Sequence, residues 1–176
     1  MNELDFAYLA GAMDADGYFT IKRHTYGIRV VKDSKNPSYS ERTGIKQTCD
    51  IIPKMIHKRY GGYLSTQKPN TPNGKLLYSI ELGHKKAIAF LKDIFPHLKI
   101  KKRQAEILFE LRESKEKPRT ETHESLQKNR WGKEMIFKKH SVSKEQIKFC
   151  ENLILELNTL NDIRQCKFTN TKEWKP

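Results

Sequence analysis

The sequence predicts an α+β fold, with one antiparallel four-stranded sheet and helices on one of its faces. Two observations predict it, and a third, the charge, bears on its partner. Two stretches, 18–48 and 63–82, each hold a pair of alternating apolar–polar segments broken by a turn. Helical stretches precede, separate and follow these pairs, so the order from Leu4 to Arg112 is helix, two strands, helix, two strands, helix, helix. The chain carries 34 Lys plus Arg against 21 Asp plus Glu over 176 residues, a net charge of +13. A sheet left uncovered on one side is where such a charge meets a polyanion.

The first helix spans Leu4 to Met13, with Asn2 as candidate N-cap. Leu4, Ala7, Tyr8 and Gly11 share one face, and Phe6, Leu9, Ala10 and Met13 another. A helix apolar on nearly all sides is expected to be buried on nearly all sides. Ala7 and Gly11 are small and one turn apart, so another backbone can approach closely. Asp14 and Asp16 follow, with Gly17 as the stop. Carboxylates at that end oppose the partial negative charge of the last turn. A bound cation resolves the conflict, and oxygen ligands suit a hard ion such as Mg²⁺. A plain polar helix stop is the other reading of Asp-Ala-Asp-Gly.

After Gly17 the period becomes two. Phe19, Ile21 and Arg23 point one way; Tyr18, Thr20, Lys22, His24 and Tyr26 point the other. A turn between Val30 and Tyr39 leads to a second strand, Ser38 to Thr48, whose inward residue is Ile45, so that Arg42, Gly44 and Lys46 share the outer face. Asp50 is placed to cap a helix from Ile51 to Tyr60, with Pro53 in its first turn, Ile52, Met55 and Ile56 inward, and Gly61-Gly62 at its end. The next hairpin joins Tyr63–Gln67 to Leu76–Leu82 through a loop with Asn73-Gly74. Ala87, Ile88, Leu91, Ile94 and Phe95 form a helical stripe stopped by Pro96, and a core helix runs from Lys101 to Arg112. The polar faces supply candidate nucleic-acid contacts: Thr20, Lys22, His24, Tyr26, Arg42, Lys46, Ser65, Gln67 and Lys75.

The domain organisation follows: a core over 1–112, a polar insertion or connector over 113–142 read as loop, and a C-terminal helix and tail over 143–176 packed on the core. Cations lie near aromatics in the insertion, at Lys128, Arg130, Trp131, Lys133, Lys138 and Lys139. Ser143 to Gln146 fits a capping box opening a helix to about Asn158, with Ile147, Leu153, Ile154 and Leu157 inward. The three cysteines, Cys49, Cys150 and Cys166, have no zinc-ligand spacing and read as reduced thiols. No stretch reaches transmembrane length. A soluble intracellular protein, in an organelle or a prokaryotic cytoplasm, is the expected class, with no membrane partner.

Leu9-Ala10-Gly11-Ala12-Met13-Asp14-Ala15-Asp16-Gly17 resembles the signature of the LAGLIDADG homing endonucleases, departing at Ala12, Met13 and Ala15. The predicted element order is also that of the family core, with its saddle-shaped sheet. The resemblance implies a metal-dependent DNA endonuclease in which Asp16 and the backbone carbonyl of Ala15 hold Mg²⁺ or Mn²⁺, with Ca²⁺ binding without supporting cleavage. Asp14 takes a helix-ending role. The segment Pro96 to Ala105 resembles the one supplying an active-site lysine, here Lys101, and Ile45-Lys46-Gln47-Thr48 the one supplying a water-positioning polar group, here Gln47.

The chain holds one such nonapeptide and no second helix–strand–strand set. Cutting both strands then implies a homodimer whose first helices meet through Ala7, Tyr8, Gly11 and Ala12, on a near-palindromic double-stranded DNA site. The rival expectations are an intron-RNA maturase or a non-cleaving DNA-binding regulator on the same scaffold, which need no metal, and a basic RNA-structural protein, which leaves the nonapeptide unexplained.

Overall fold

A computed structural model describes residues 1–24, 37–69, 74–117, 121–128, 132, 134–141 and 143–162. Helix α1 (Glu3–Asp16) begins in a reciprocal capping box. Asn2 Oδ1 accepts from the Asp5 N–H at 2.9 Å, and Asp5 Oδ2 accepts from the Asn2 N–H at 2.9 Å. Gly17 ends it, but in an extended conformation with φ −71° rather than a left-handed one. Glycine is needed there for clearance, since a Cβ would stand 2.7 Å from the Met13 backbone.

Strands β1 (Gly17–His24), β2 (Ser38–Gln47), β3 (Tyr63–Gln67) and β4 (Leu77–Gly83) form one antiparallel sheet in the order β1-β2-β4-β3. The second strand of each hairpin is central, with Ile45 opposite Ile80. The inward set, Phe19, Ile21, Tyr39, Ile45, Ile80 and Leu82, is buried under α1 and helices α2 (Ile51–Tyr60), α3 (Lys85–Ile94), α4 (Lys102–Glu116) and α5 (Lys144–Asn161) in one continuous core. The outer face carries no helix among the described residues. No helix among them is long and apolar enough to cross a membrane.

Several boundaries differ from expectation. Pro96 does not simply stop α3; it sits inside a 3₁₀ turn, Phe95–His97, where its missing N–H does little harm. Asp50 precedes α2 without making a side-chain cap bond and instead pairs with Lys54. Helix α4 starts one residue after Lys101 and continues four past Arg112, to Glu116. The extra turn is held by polar partners. Lys115 Nζ donates to both oxygens of Glu41 on β2 at 3.0 and 2.9 Å, with Glu41 fully buried. Gln146 of α5 donates to the Ser114 hydroxyl at 3.2 Å, so its side chain does not close a capping box, although Ser143 Oγ accepts from the Gln146 N–H at 3.1 Å.

The insertion read as loop contains a two-stranded antiparallel ribbon, β5 (Glu121–Lys128) and β6 (Glu134–Ser141). Arg130, Trp131 and Lys133 lie outside the described residues, as do Asn73 and everything from 163 onward, Cys166 included. Cys49 and Cys150 are free thiols. Helix α5 is tied to the sheet by Asn161, which donates to Phe19 O at 2.9 Å, and by Glu151. That carboxylate accepts from Tyr39 Oη at 2.6 Å and pairs with Arg23 at 2.9 Å.

Candidate active site

The two acids ending α1 do different things because two residues on a helix point roughly 200° apart. Asp14 turns toward the start of α4. Its carboxylate accepts from three backbone N–H groups, Lys99 at 2.8 Å, Ile100 at 3.2 Å and Lys101 at 2.9 Å. Its donors are the three residues just before α4, so Asp14 anchors the segment that leads into that helix and places a negative charge near its positive end. The expected helix-ending role of Asp14 therefore belongs to the start of α4.

Asp16 is exposed and turns toward the end of β2, where Gln47 Nε2 donates to its Oδ2 at 3.1 Å. Gln47 shares the inward parity of Ile45, which aims it at the end of α1 rather than at the outer face. Lys101, fixed through its own N–H by Asp14, folds its side chain back over the end of α1. Its Nζ donates to the carbonyls of Met13 at 2.9 Å, Gly17 at 2.7 Å and Ala15 at 3.4 Å. Burial pulls the Lys101 ammonium below the ordinary lysine value, and Asp14 and Asp16 oppose that shift. Asp16, Gln47, Lys101 and the Ala15 carbonyl thus converge at one corner of the fold. A cleft of about 440 Å³ beside Asp16 and Gln47 is also lined by Tyr8, Lys46, Cys49 and Leu77.

The expected burial of α1 holds on one side only. Leu9, Ala10 and Met13 are buried, whereas Leu4 is 78 % and Tyr8 57 % exposed. Ala7 and Gly11 are exposed between them, and a Cβ at Gly11 would meet nothing within 4 Å. Ala12, expected on the same stripe, is half-buried against the core. An apolar ridge thus runs along α1 to the Asp16 corner.

On the outer face of the sheet, cross-strand register aligns Thr20 with Arg42 and Lys46 with Ser79. Lys22 is exposed, and His24 Nε2 lies 2.8 Å from Ser40 Oγ. Lys46 Nζ donates to Gln67 Oε1 at 2.9 Å, and Ser65 faces the same way beside Ser79. Lys75 is exposed just before β4. Tyr26 lies outside the described residues.

No family model and no curated protein sequence matches the chain. Solved structures do match its shape. The homing endonuclease I-CvuI, in complex with the I-CreI DNA target in the presence of magnesium, aligns with 91 % of this chain and 83 % of its own, at TM-score 0.60 and 18 % identity. The archaeal intron-encoded homing endonuclease I-Vdi141I, complexed with DNA, aligns over 98 % and 90 %, at TM-score 0.60 and 16 % identity. The LAGLIDADG meganuclease I-AabMI, bound to uncleaved DNA, aligns over 84 % of this chain and 44 % of its own, at TM-score 0.55 and 13 % identity.

This chain has the LAGLIDADG homing-endonuclease fold.

On the LAGLIDADG scaffold the outer sheet face also carries Ser40, Tyr63, Ser79 and Glu81, and Tyr18, expected on that face but not among the nucleic-acid contacts, lies there with them. For Ser79 and Glu81 the signal was the alternation Ser79-Ile80-Glu81-Leu82, which fixes the parity of β4 once Ile80 and Leu82 are inward. Tyr18 lies across β2 at Gly44, where a Cβ would stand 2.7 Å from its hydroxyl, and donates to Glu81 Oε2 at 3.2 Å. Burial and the Glu81 charge push the Tyr18 hydroxyl up to about 12. Burial, then the charges of Arg42 and Lys22, hold the His24 imidazole below its usual range.

The donor set at the LAGLIDADG corner fits part of a hard-cation site. Asp16 offers a carboxylate at a helix end with no basic residue in its last turn, and Ala15 a carbonyl. Among the described residues no three His, Cys, Asp or Glu side chains gather as ligands; a Mg²⁺ site built on one or two carboxylates takes its remaining oxygens from water and phosphate.

Proposed function

We propose that this chain is a site-specific DNA endonuclease that cuts both strands of a near-palindromic duplex as a homodimer, with Mg²⁺ held by Asp16 and the Ala15 carbonyl. The observation that carries it is the meeting of Asp16, Gln47 and Lys101 at the tip of an exposed apolar helix beside a basic, uncovered sheet. One such donor set at the end of an exposed apolar helix face supports a two-fold assembly, since cutting both strands takes two of them. The ridge of Leu4, Ala7, Tyr8 and Gly11 supports an isologous contact that brings the second Asp16 alongside the first.

The reaction is hydrolysis of a phosphodiester: a water oxygen bonds to phosphorus, the bond to the 3′ oxygen breaks, and that oxygen takes up a proton. Bound Mg²⁺ would supply Lewis-acid charge at the phosphate and lower the pKa of water. Gln47 holds one oxygen of Asp16, which leaves the other free and fixes the plane of the carboxylate. Lys101 keeps a positive charge over the same corner, positioned to stabilise negative charge that builds on the phosphate oxygens. The outer faces of the two sheets would track the major groove, with Lys22 and Lys46 contacting phosphates.

The test is incubation of the full chain with a plasmid library carrying randomised candidate sites, with Mg²⁺ or with EDTA. Wild type cleaves only with Mg²⁺, and Asp16→Asn binds the same sites without cutting them. Cleavage by Asp16→Asn at the wild-type rate refutes the assignment. Sequence-specific binding by wild type with no cleavage in Mg²⁺ or Mn²⁺ would instead assign a non-cleaving regulator.

A further inference from the structure

On the outer sheet face the only acid among the described residues of β1–β4 is Glu81, and its placement is unlike that of a solvated surface carboxylate. It stands directly across from Gly44 on β2, and Gly44 in turn from Tyr18 on β1, so one rung of the sheet carries all three. The bare glycine lets the Tyr18 ring lie over β2 and reach Glu81 Oε2. The other carboxylate oxygen, Oε1, takes Nη1 of Arg42, one position along the face. Arg42 is itself three-quarters covered, and its Nε is buried with no hydrogen-bond partner among the described residues. A guanidinium has five N–H donors in a planar fork. Here one is spent on Glu81 and one is sealed in, so its reach and plane are set by the rung beneath it.

Resting on the reading of this sheet as a DNA-binding face, we infer that Glu81 and Tyr18 fix Arg42 as a base-reading group that selects guanine at one position of each half-site. Two arguments support a base edge over the phosphate backbone. A carboxylate beside the guanidinium repels phosphate, and a face meant only to attract backbone has no use for an acid at its centre. A guanidinium held in a fixed plane matches the paired O6 and N7 acceptors of guanine in the major groove, while a freely swinging one yields charge without sequence information. Lys22 on the same face is exposed, which suits phosphate contact.

The experiment selects bound sequences from a randomised duplex library with the full-length chain, comparing wild type, Arg42→Ala, Glu81→Ala and Glu81→Gln, with folding checked by circular dichroism. Wild type enriches guanine at one symmetric pair of positions, by roughly 5- to 150-fold over the other bases. Arg42→Ala removes that preference at that pair alone. Glu81→Ala lowers it at the same pair at least about 5-fold, and Glu81→Gln, which keeps the shape, lowers it by less. Folded Glu81 variants whose preferences superimpose on wild type overturn the inference. So does Arg42→Ala that weakens every sequence equally, which marks a phosphate contact. If wild type enriches no sequence at all, the reading as a site-specific DNA binder fails first and takes this inference with it.

Discussion

Replacing each of the neighbouring acids Asp14 and Asp16 by asparagine should separate stability from chemistry. Asp14 receives three N–H groups, from Lys99, Ile100 and Lys101 at 2.8, 3.2 and 2.9 Å, and α4 has no side-chain cap of its own. Asparagine in place of Asp14 retains one acceptor oxygen but turns an NH₂ group toward amide donors. Weakening hydrogen bonds to a charged acceptor costs about 1.5–3 kcal/mol, of which loss of the negative charge near a helix start is about 0.3–1 kcal/mol. A loss of about 2 kcal/mol lowers Tm by about 4–8 °C for a domain of this size. Asp16 has the opposite electrostatics. It sits at the negative end of α1, where loss of its charge relieves about 0.3–1 kcal/mol, offset by the lost attraction to the Lys101 ammonium, while asparagine keeps an oxygen for Gln47. Thermal unfolding in EDTA, followed by circular dichroism, should show Asp14→Asn melting several degrees below wild type and Asp16→Asn level with it or slightly above. Cleavage should vanish in Asp16→Asn. An Asp16→Asn protein that melts as low as Asp14→Asn would refute the division of labour, because it would mean that both acids serve the fold.

Other consequences are open to direct measurement. Lys115→Met strands the fully buried Glu41 carboxylate and should cost about 3 kcal/mol in urea unfolding, whereas Glu41→Leu with Lys115→Met should regain most of it; a single variant within about 0.5 kcal/mol of wild type contradicts a buried pair. Gly11→Arg should keep the helical circular dichroism signal, since a Cβ at Gly11 meets nothing within 4 Å among the described residues, yet sediment as a monomer and lose double-strand cleavage; a cleaving dimer would rule out that ridge as the interface. His24 titrates below its usual 6.5, so the unfolded chain takes up the proton first and stability is lost as pH falls from about 6.5 through the depressed folded value. The added charge should at the same time strengthen DNA binding on acidification, and His24→Gln should blunt that gain; identical affinity–pH curves would remove His24 from the DNA face.

Whether a feature could be read from the sequence depended on where its partners lie. Helix α2 and strand β3 have the predicted ends because their punctuation is local: Pro53, Gly61-Gly62 and Pro69 act within a few residues of the boundary they set. Asn2 capping Asp5 is likewise a three-residue interaction. The last turn of α4 was hidden because Ser114 and Lys115 look like solvated linker until Gln146 and Glu41 are brought to them, the latter from 74 residues away. Glu81 was passed over for the same reason, its partners Arg42 and Tyr18 lying 39 and 63 residues back. The ribbon in the insertion was masked by charge, since Glu124 is paired with Lys138 and Lys128 with Glu134 in its register. Opposite charges on paired strands read as polar loop in one dimension and as compatible neighbours in two.

The candidate site shows the same rule at its smallest scale. Asp16 was legible through the nonapeptide, and Lys101 and Gln47 through weaker segments resembling the same family. What the motif could not say is why an acid also stands two residues earlier. Asp14 binds the N–H of Lys101 itself, so the residue that immediately precedes α4 and the residue that brings an ammonium to the Asp16 corner are one. Shortening or turning Asp14 therefore releases the backbone of Lys99, Ile100 and Lys101 together. The two carboxylates form one device: the first fixes the backbone of Lys101, and the second, held by Gln47 on the other side of the helix, stands exposed within the field of that ammonium, where we propose that it also holds Mg²⁺.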